Sequence, residues 1–122
     1  MSIKLMVIDD EKNIRETIRD YFEDSGWKVA IFSSGEDALE FLQNETTEYI
    51  IVDGRLPGMT GADFIRKASL VRTGIKYIIY TGSCDFQITD DLRASGITEK
   101  NILMKPVMDF TDLCDALEQI NK

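Results

Sequence analysis

The sequence predicts an α/β fold: a doubly wound, five-stranded parallel sheet with helices on both faces. Three observations predict it. Short apolar runs alternate with amphipathic segments along the whole chain. The runs are almost wholly apolar rather than alternating, as in strands buried on both sides. Finally, 122 residues at 43% apolar and 30% charged content make one ordinary globular domain, 1–122, with no repeat, low-complexity tract or linker.

Ile3 to Ile8 (IKLMVI) is the first strand. Asp10 or Glu11 can cap the helix that follows, whose apolar face is Ile14, Ile18, Tyr21 and Phe22, and Gly26 ends it. Lys28 to Phe32 (KVAIF) is the second strand, after which Ser34 caps a short helix with Ala38, Leu39 and Leu42 inward. Tyr49 to Val52 (YIIV) is the third strand and runs into Asp53. The glycines and proline from Gly54 to Gly61 make a loop. Ala62 to Leu70 is a helix with Phe64 and Ile65 inward, and Lys76 to Tyr80 (KYIIY) is the fourth strand. On that strand Tyr77 and Tyr80 are assigned to one face and Ile78 to the other. A weaker helix near Ile88 to Ala94 and a very short fifth strand, Ile102 to Met104, precede a last helix that buries Phe110, Leu113, Leu117 and Ile120. Met104 and Met108 are read as packing residues, and Trp27 is placed at the sheet end away from the strand-end acids.

The most uniformly apolar strands, the first, third and fourth, belong in the centre, and the shorter second and fifth at the edges. That gives the order 2-1-3-4-5, with ligands expected beyond the carboxyl ends of the strands at the switch point between the first and third.

Composition narrows the chemistry. Fourteen basic against 22 acidic side chains leave a net charge of −8, so nucleic-acid phosphates and anionic membranes are poor partners. The chain has no histidine, which removes Ser-His-Asp and Cys-His catalysis, histidine metal sites and a phosphohistidine carrier role. Cys84 and Cys114 match no zinc or redox spacing and suit a reducing, cytoplasmic setting; Cys84 reads as a plain loop cysteine. The first residues form neither a signal peptide nor a membrane span.

The strand ends carry the information. Asp9-Asp10, Asp53, Thr81 and Lys105 all follow strands, and a parallel sheet brings them to one edge. Three carboxylates there repel one another, and the physical remedy is a hard dication with oxygen ligands, for which magnesium is suited. With Lys105 added, the carboxylates are neutralised. Asp53, alone at its strand end before a flexible loop, is the candidate nucleophile toward phosphorus. Asp9 and Asp10 would hold the metal with Asp53, and the backbone carbonyl of Arg55 would complete the set. Thr81 and the Gly82 amide would hydrogen-bond phosphoryl oxygens paired with Lys105.

The set Asp9-Asp10, Asp53-x-x-Leu56-Pro57-Gly58-Met59-x-Gly61, Thr81-Gly82 and Lys105-Pro106 resembles the receiver domain of two-component response regulators, across essentially the whole chain. The resemblance implies a flavodoxin-like fold, phosphorylation of Asp53 by a partner histidine kinase or phosphotransfer protein, autodephosphorylation, a switch at Thr81 and a cis Lys105–Pro106 bond. It also implies that Arg55 and Ser83, two residues beyond Asp53 and Thr81, tune how water reaches the acyl phosphate. It departs from the family at Gly54, where a larger apolar residue is usual, and at Ile102, where an aromatic usually rotates inward as Thr81 engages. The threonine–aromatic coupling is therefore not carried over, and activation by another route stays open. The segment from Gly96 to Lys105 is two residues longer than the usual pattern and would reshape the face used for dimers and partners.

The rival reading is a phosphorylation-independent docking or dimerisation module, supported by Gly54 and Ile102 but opposed by the intact acids, Thr81 and Lys105. A haloacid-dehalogenase-like phosphatase expects Asp-x-Asp where this chain has Asp9-Asp10-Glu11. A flavodoxin would want Ser, Thr and Gly amides where the first loop is acidic. The expectation is a signalling phosphoacceptor that catalyses only its own phosphorylation and dephosphorylation, with an unidentified downstream protein and a homodimer left open.

Overall fold

A computed structural model describes residues 3–82, 86–107 and 109–120. Five parallel strands, β1 (Ile3–Ile8), β2 (Val29–Phe32), β3 (Thr47–Val52), β4 (Lys76–Thr81) and β5 (Ile102–Met104), form one sheet in the order β2-β1-β3-β4-β5. The order is the one read from the sequence. The helices are α1 (Lys12–Asp24), α2 (Gly35–Asn44), α3 (Gly61–Val71), α4 (Asp90–Ala94) and α5 (Thr111–Ile120). Helices α2, α3 and α4 cover one sheet face, where Met6, Ile8, Ile50, Val52 and Ile79 meet Ala38, Leu42, Phe64, Ile65 and Leu92. Helices α1 and α5 cover the other, where Leu5, Val7, Ile51 and Ile78 meet Ile18, Phe22, Leu113 and Leu117. Fully buried side chains of this size contribute ~1.5–3 kcal/mol each, so these two layers dominate the fold.

Local chemistry accounts for the helix ends. Ser34 Oγ accepts from the Asp37 amide at 3.2 Å and Thr60 Oγ1 from the Asp63 amide at 3.0 Å, each satisfying an orphan donor of a first turn. Gly26, at φ +92°, follows α1 in the left-handed conformation that ends helices. Glu11 occupies the N-cap of α1 without a side-chain cap hydrogen bond.

Several local expectations are corrected. The glycine-rich loop contains a two-residue antiparallel ladder, Arg55–Leu56 with Met59–Thr60. A 3-10 turn at Glu99–Asn101 absorbs the long segment before β5, anchored by Asn101 Nδ2 donating to the Tyr77 carbonyl at 2.7 Å. Strand side chains alternate with period two. Tyr77 therefore sides with Ile79, and Tyr80 with Ile78, on opposite faces. Met104 is 45% exposed rather than packed, because β5 is an edge strand. Met108 and Cys84 lie outside the described residues.

Candidate functional site

The strand register assembles the site. Ile8 pairs with Val52, Val52 with Ile79, and Thr81 with Met104, so the residues after β1, β3 and β5 and the end of β4 emerge along one edge. The Asp53 amide donates to the Ile8 carbonyl at 2.9 Å and the Lys105 amide to the Thr81 carbonyl at 2.9 Å, extending the ladder to the site residues themselves. The Lys105–Pro106 peptide is cis.

Asp9 is 2% exposed, Asp53 8% and Thr81 1%, whereas Asp10 and Arg55 face solvent. Carboxylate oxygens of Asp9, Asp10 and Asp53 lie within 4.8 Å of one another. Lys105 reaches across the sheet edge, with Nζ 2.7 Å from Asp9 Oδ2 and 3.3 Å from Asp53 Oδ2. Glu11 Oε1 lies 4.0 Å from the same ammonium. The second oxygen of each buried acid is also held: Asp9 Oδ1 accepts from the Glu11 amide at 2.9 Å, and Asp53 Oδ1 from the Arg55 amide at 3.2 Å. Such charge-assisted bonds fix both carboxylates in orientation.

Burial and charge compete here. Burial pulls the Lys105 ammonium toward its neutral form, but the hydrogen bond and charge of Asp9, with the charge of Asp53, more than reverse it, so its pKa is raised. For Asp9, burial raises the carboxyl above its ordinary range, and the bonds from Lys105 and the Glu11 amide only partly offset this. One ammonium among three carboxylates leaves the edge negative, and every side-chain donor in the cluster is an oxygen. That donor set fits a hard cation such as magnesium, which takes one or two carboxylates and keeps several waters.

Asp9, Asp10, Asp53, Thr81 and Lys105 are thus brought to one edge, as the sequence led us to expect. Gly82 follows Thr81 there, and Ser83 lies outside the described residues. Several participants carried no sequence signal. Arg15 donates through Nη1 to the Asp9 carbonyl at 2.9 Å. The Tyr80 ring sits 5.6 Å from Lys105 Nζ, and the Tyr80 hydroxyl accepts from the Val107 amide at 3.1 Å. Gly61, which belongs to the motif read from the sequence, approaches the site through its backbone: a Cβ there would fall 2.5 Å from the Asp53 carbonyl oxygen.

A doubly wound sheet with an acid cluster and a lysine at its carboxyl edge places the chain among the α/β domains that carry their site beyond the strand ends. The family profile described as "Response regulator receiver domain" matches residues 5–118, and the chain belongs to that family. Among its relatives is sporulation initiation phosphotransferase F of Bacillus subtilis, 23% identical over 98% of this chain and 94% of that protein. Another is nodulation protein W of Bradyrhizobium diazoefficiens, 27% identical over 93% of this chain but 48% of that protein, so the chain spans only about half of some relatives. The chemotaxis protein CheY4 of Vibrio cholerae superposes with a TM-score of 0.82 at 24% identity, covering 98% of this chain and 99% of that one. A CheY-like receiver domain protein from Methanospirillum hungatei gives 0.81 at 24% identity, over 99% and 95%. These two structures share the fold. No helix among the described residues is long and apolar enough to cross a membrane.

Proposed function

We propose that residues 1–122 act as one receiver domain that takes a phosphoryl group onto Asp53 in a magnesium-dependent reaction. The donor is the phosphohistidine of a sensor histidine kinase or phosphotransfer protein. The observation that carries this reading is the placement of Lys105 Nζ, 2.7 Å from Asp9 Oδ2 and 3.3 Å from Asp53 Oδ2, within a cluster of three carboxylates. A lone cap or turn has no use for that convergence.

In the reaction an Asp53 oxygen attacks phosphorus, the P–N bond to the imidazole breaks, and the freed imidazole takes up a proton. Lys105 neutralises charge on the phosphoryl oxygens, and the Thr81 hydroxyl and Gly82 amide donate hydrogen bonds to them. Asp9, Asp10, Asp53 and the Arg55 carbonyl would hold magnesium, which supplies the remaining positive charge. Arg55 and Ser83 govern the access of water in autodephosphorylation. The added charge beside Lys105 and Thr81 then biases the packing of the face formed by α4, β5 and α5, which a cytoplasmic downstream protein would read. Catalysis is confined to the domain's own phosphorylation and dephosphorylation.

The test is intact mass after incubation with acetyl phosphate, with and without magnesium, alongside Asp53→Ala. One phosphoryl adduct that needs magnesium and is lost in the variant is the expected result. No adduct under rapid quenching would overturn the reading and favour a phosphorylation-independent docking module.

A further inference from the structure

The three acids of the sheet edge are held unequally. Both oxygens of the Asp9 carboxylate are bonded, Oδ2 by Lys105 Nζ at 2.7 Å and Oδ1 by the Glu11 amide at 2.9 Å. Asp53 is held in the same way, by Lys105 Nζ at 3.3 Å and the Arg55 amide at 3.2 Å. Asp10 is exposed, and among the described residues its carboxylate accepts no hydrogen bond and joins no ion pair. Its direction is therefore set by the backbone, through the peptide that joins it to Asp9. The oxygen of that peptide is the Asp9 carbonyl, which accepts from Arg15 Nη1 at 2.9 Å. On the other side of Asp9, its amide donates to the Phe32 carbonyl at 3.1 Å.

We propose that Arg15 is the positioning residue for Asp10, holding the Asp9–Asp10 peptide so that the exposed carboxylate stays within 4.8 Å of the other two. This rests on the reading of Asp9, Asp10 and Asp53 as magnesium ligands, and adds to it a residue of α1 outside the acid cluster. Two observations separate positioning from neutralisation of charge. A guanidinium beside acids ordinarily takes a carboxylate in a bidentate pair. Among the described residues Arg15 joins no ion pair, and its hydrogen bond goes to a carbonyl instead. Moreover, Arg15 is the fourth residue of α1, where a cation opposes the helix dipole and repels any metal held nearby. Both charge effects disfavour arginine there, so what it contributes is geometric. A charged donor on a peptide oxygen makes a strong, directional bond. With Asp9 bonded through both carboxylate oxygens, its amide and its carbonyl, the peptide plane is fixed, and Asp10 leaves it in one direction. A ligand oriented in advance gives up less freedom when the metal binds.

The probe is magnesium alone, titrated into the unphosphorylated protein and followed by amide chemical shifts in wild type, Arg15→Met, Arg15→Ala and Arg19→Met. Arg19 stands one turn further along α1 and pairs with Asp20 at 3.2 Å, so its variant removes the same charge without touching the Asp9 carbonyl. Loss of charge alone would tighten magnesium binding in all three variants. Loss of positioning weakens it about tenfold or more in the two Arg15 variants, as removal of a group that orients a metal ligand does, and not in Arg19→Met. The second pattern is expected. Unchanged or tighter binding in the Arg15 variants would overturn the proposal, and the use of two guards against one that fails to fold. The residual dipolar coupling of the Asp10 N–H in metal-free protein reads the same peptide directly. It should change in both Arg15 variants while that of the Asp53 N–H stays, and a wild-type value in both would also overturn the proposal. Absence of magnesium binding in wild type would instead refute the metal reading, and the Asp10 coupling would still decide whether Arg15 holds the peptide.

Discussion

Gly61→Ala is the sharpest perturbation of this domain. The added Cβ would lie 2.5 Å from the Asp53 carbonyl oxygen, 3.1 Å from Gly54 Cα and 3.3 Å from the Asp53 carbonyl carbon, all backbone atoms. No flexible side chain can yield, so the strand end bearing Asp53 must move by about half an ångström or more. Gly61 is not in the left-handed region, and helix propensity slightly favours alanine at the start of α3, so the cost is one of overpacking. Overpacking costs ~1–3 kcal/mol, and a backbone clash belongs in the upper half of that range. With an unfolding entropy of ~2.1 cal/mol/K per residue, a loss of ~2 kcal/mol lowers the Tm of a domain this size by roughly 8 °C. Displacing the nucleophile costs up to ~10²-fold in rate. Calorimetry and the initial rate of adduct formation with acetyl phosphate check both numbers. Gly26→Ala is the control: at φ +92° with nothing within 4 Å of its Cβ, it should lose ~1 kcal/mol from strain alone and keep the wild-type rate. A Gly61→Ala protein with wild-type Tm and rate would refute the reasoning.

Other predictions follow from single contacts. Lys105→Met leaves Asp9 and Asp53 without their shared ammonium, and should cost about 3 kcal/mol in urea unfolding without magnesium, less with it; equal losses in both conditions would contradict the proposed metal site. Among the described residues the Tyr77 hydroxyl is buried with no partner at hydrogen-bond geometry, although burial, opposed by a smaller effect of Ser69, raises its pKa. Tyr77→Phe should therefore keep or gain up to ~1 kcal/mol, and a clear loss would show that the hydroxyl is satisfied. The hydrogen bond from Arg66, at 2.5 Å, together with Thr89, lowers the Asp91 carboxyl to about 2. Because the folded pKa is depressed, the pair's small stabilisation is present above the unfolded value near 3.8 and is lost as pH falls toward 2. Carbon-detected titration should find Asp91 returning toward 3.8 in Arg66→Ala, and an unmoved value would exclude the pairing. Arg55→Ala should change the lifetime of the phosphorylated state, followed as decay of the adduct; an unchanged decay rate would remove Arg55 from that role.

Much of the fold and of the acid cluster was legible because both depend on local pattern plus one topological rule. Apolar runs marked the strands, the runs ended in Asp9, Asp53, Thr81 and Lys105, and a parallel sheet places successive strand ends on one side. Boundaries were less legible: β3 begins at Thr47 rather than Tyr49, since Thr47 is buried and paired with Ile3, which no apolar criterion reveals. The opposite faces of Tyr77 and Tyr80 follow from period two alone, so that correction was available in the sequence. The convergence of Thr81 and Phe86 on Gly54 was not, because it joins residues from three separate segments.

By itself, then, the sequence determined the order of strands and which residue types meet at their carboxyl edge, because hydrophobic periodicity and the handedness of crossovers are properties of short segments. Only the tertiary structure decided which atoms meet there. The bridging of Asp9 and Asp53 by Lys105, the close approach of Gly61 to the Asp53 carbonyl, and the sharing of the space over Gly54 by Thr81 and Phe86 each join residues from different strands and loops. Such distances depend on register, twist and the packing of whole layers, which no local stretch of chain encodes.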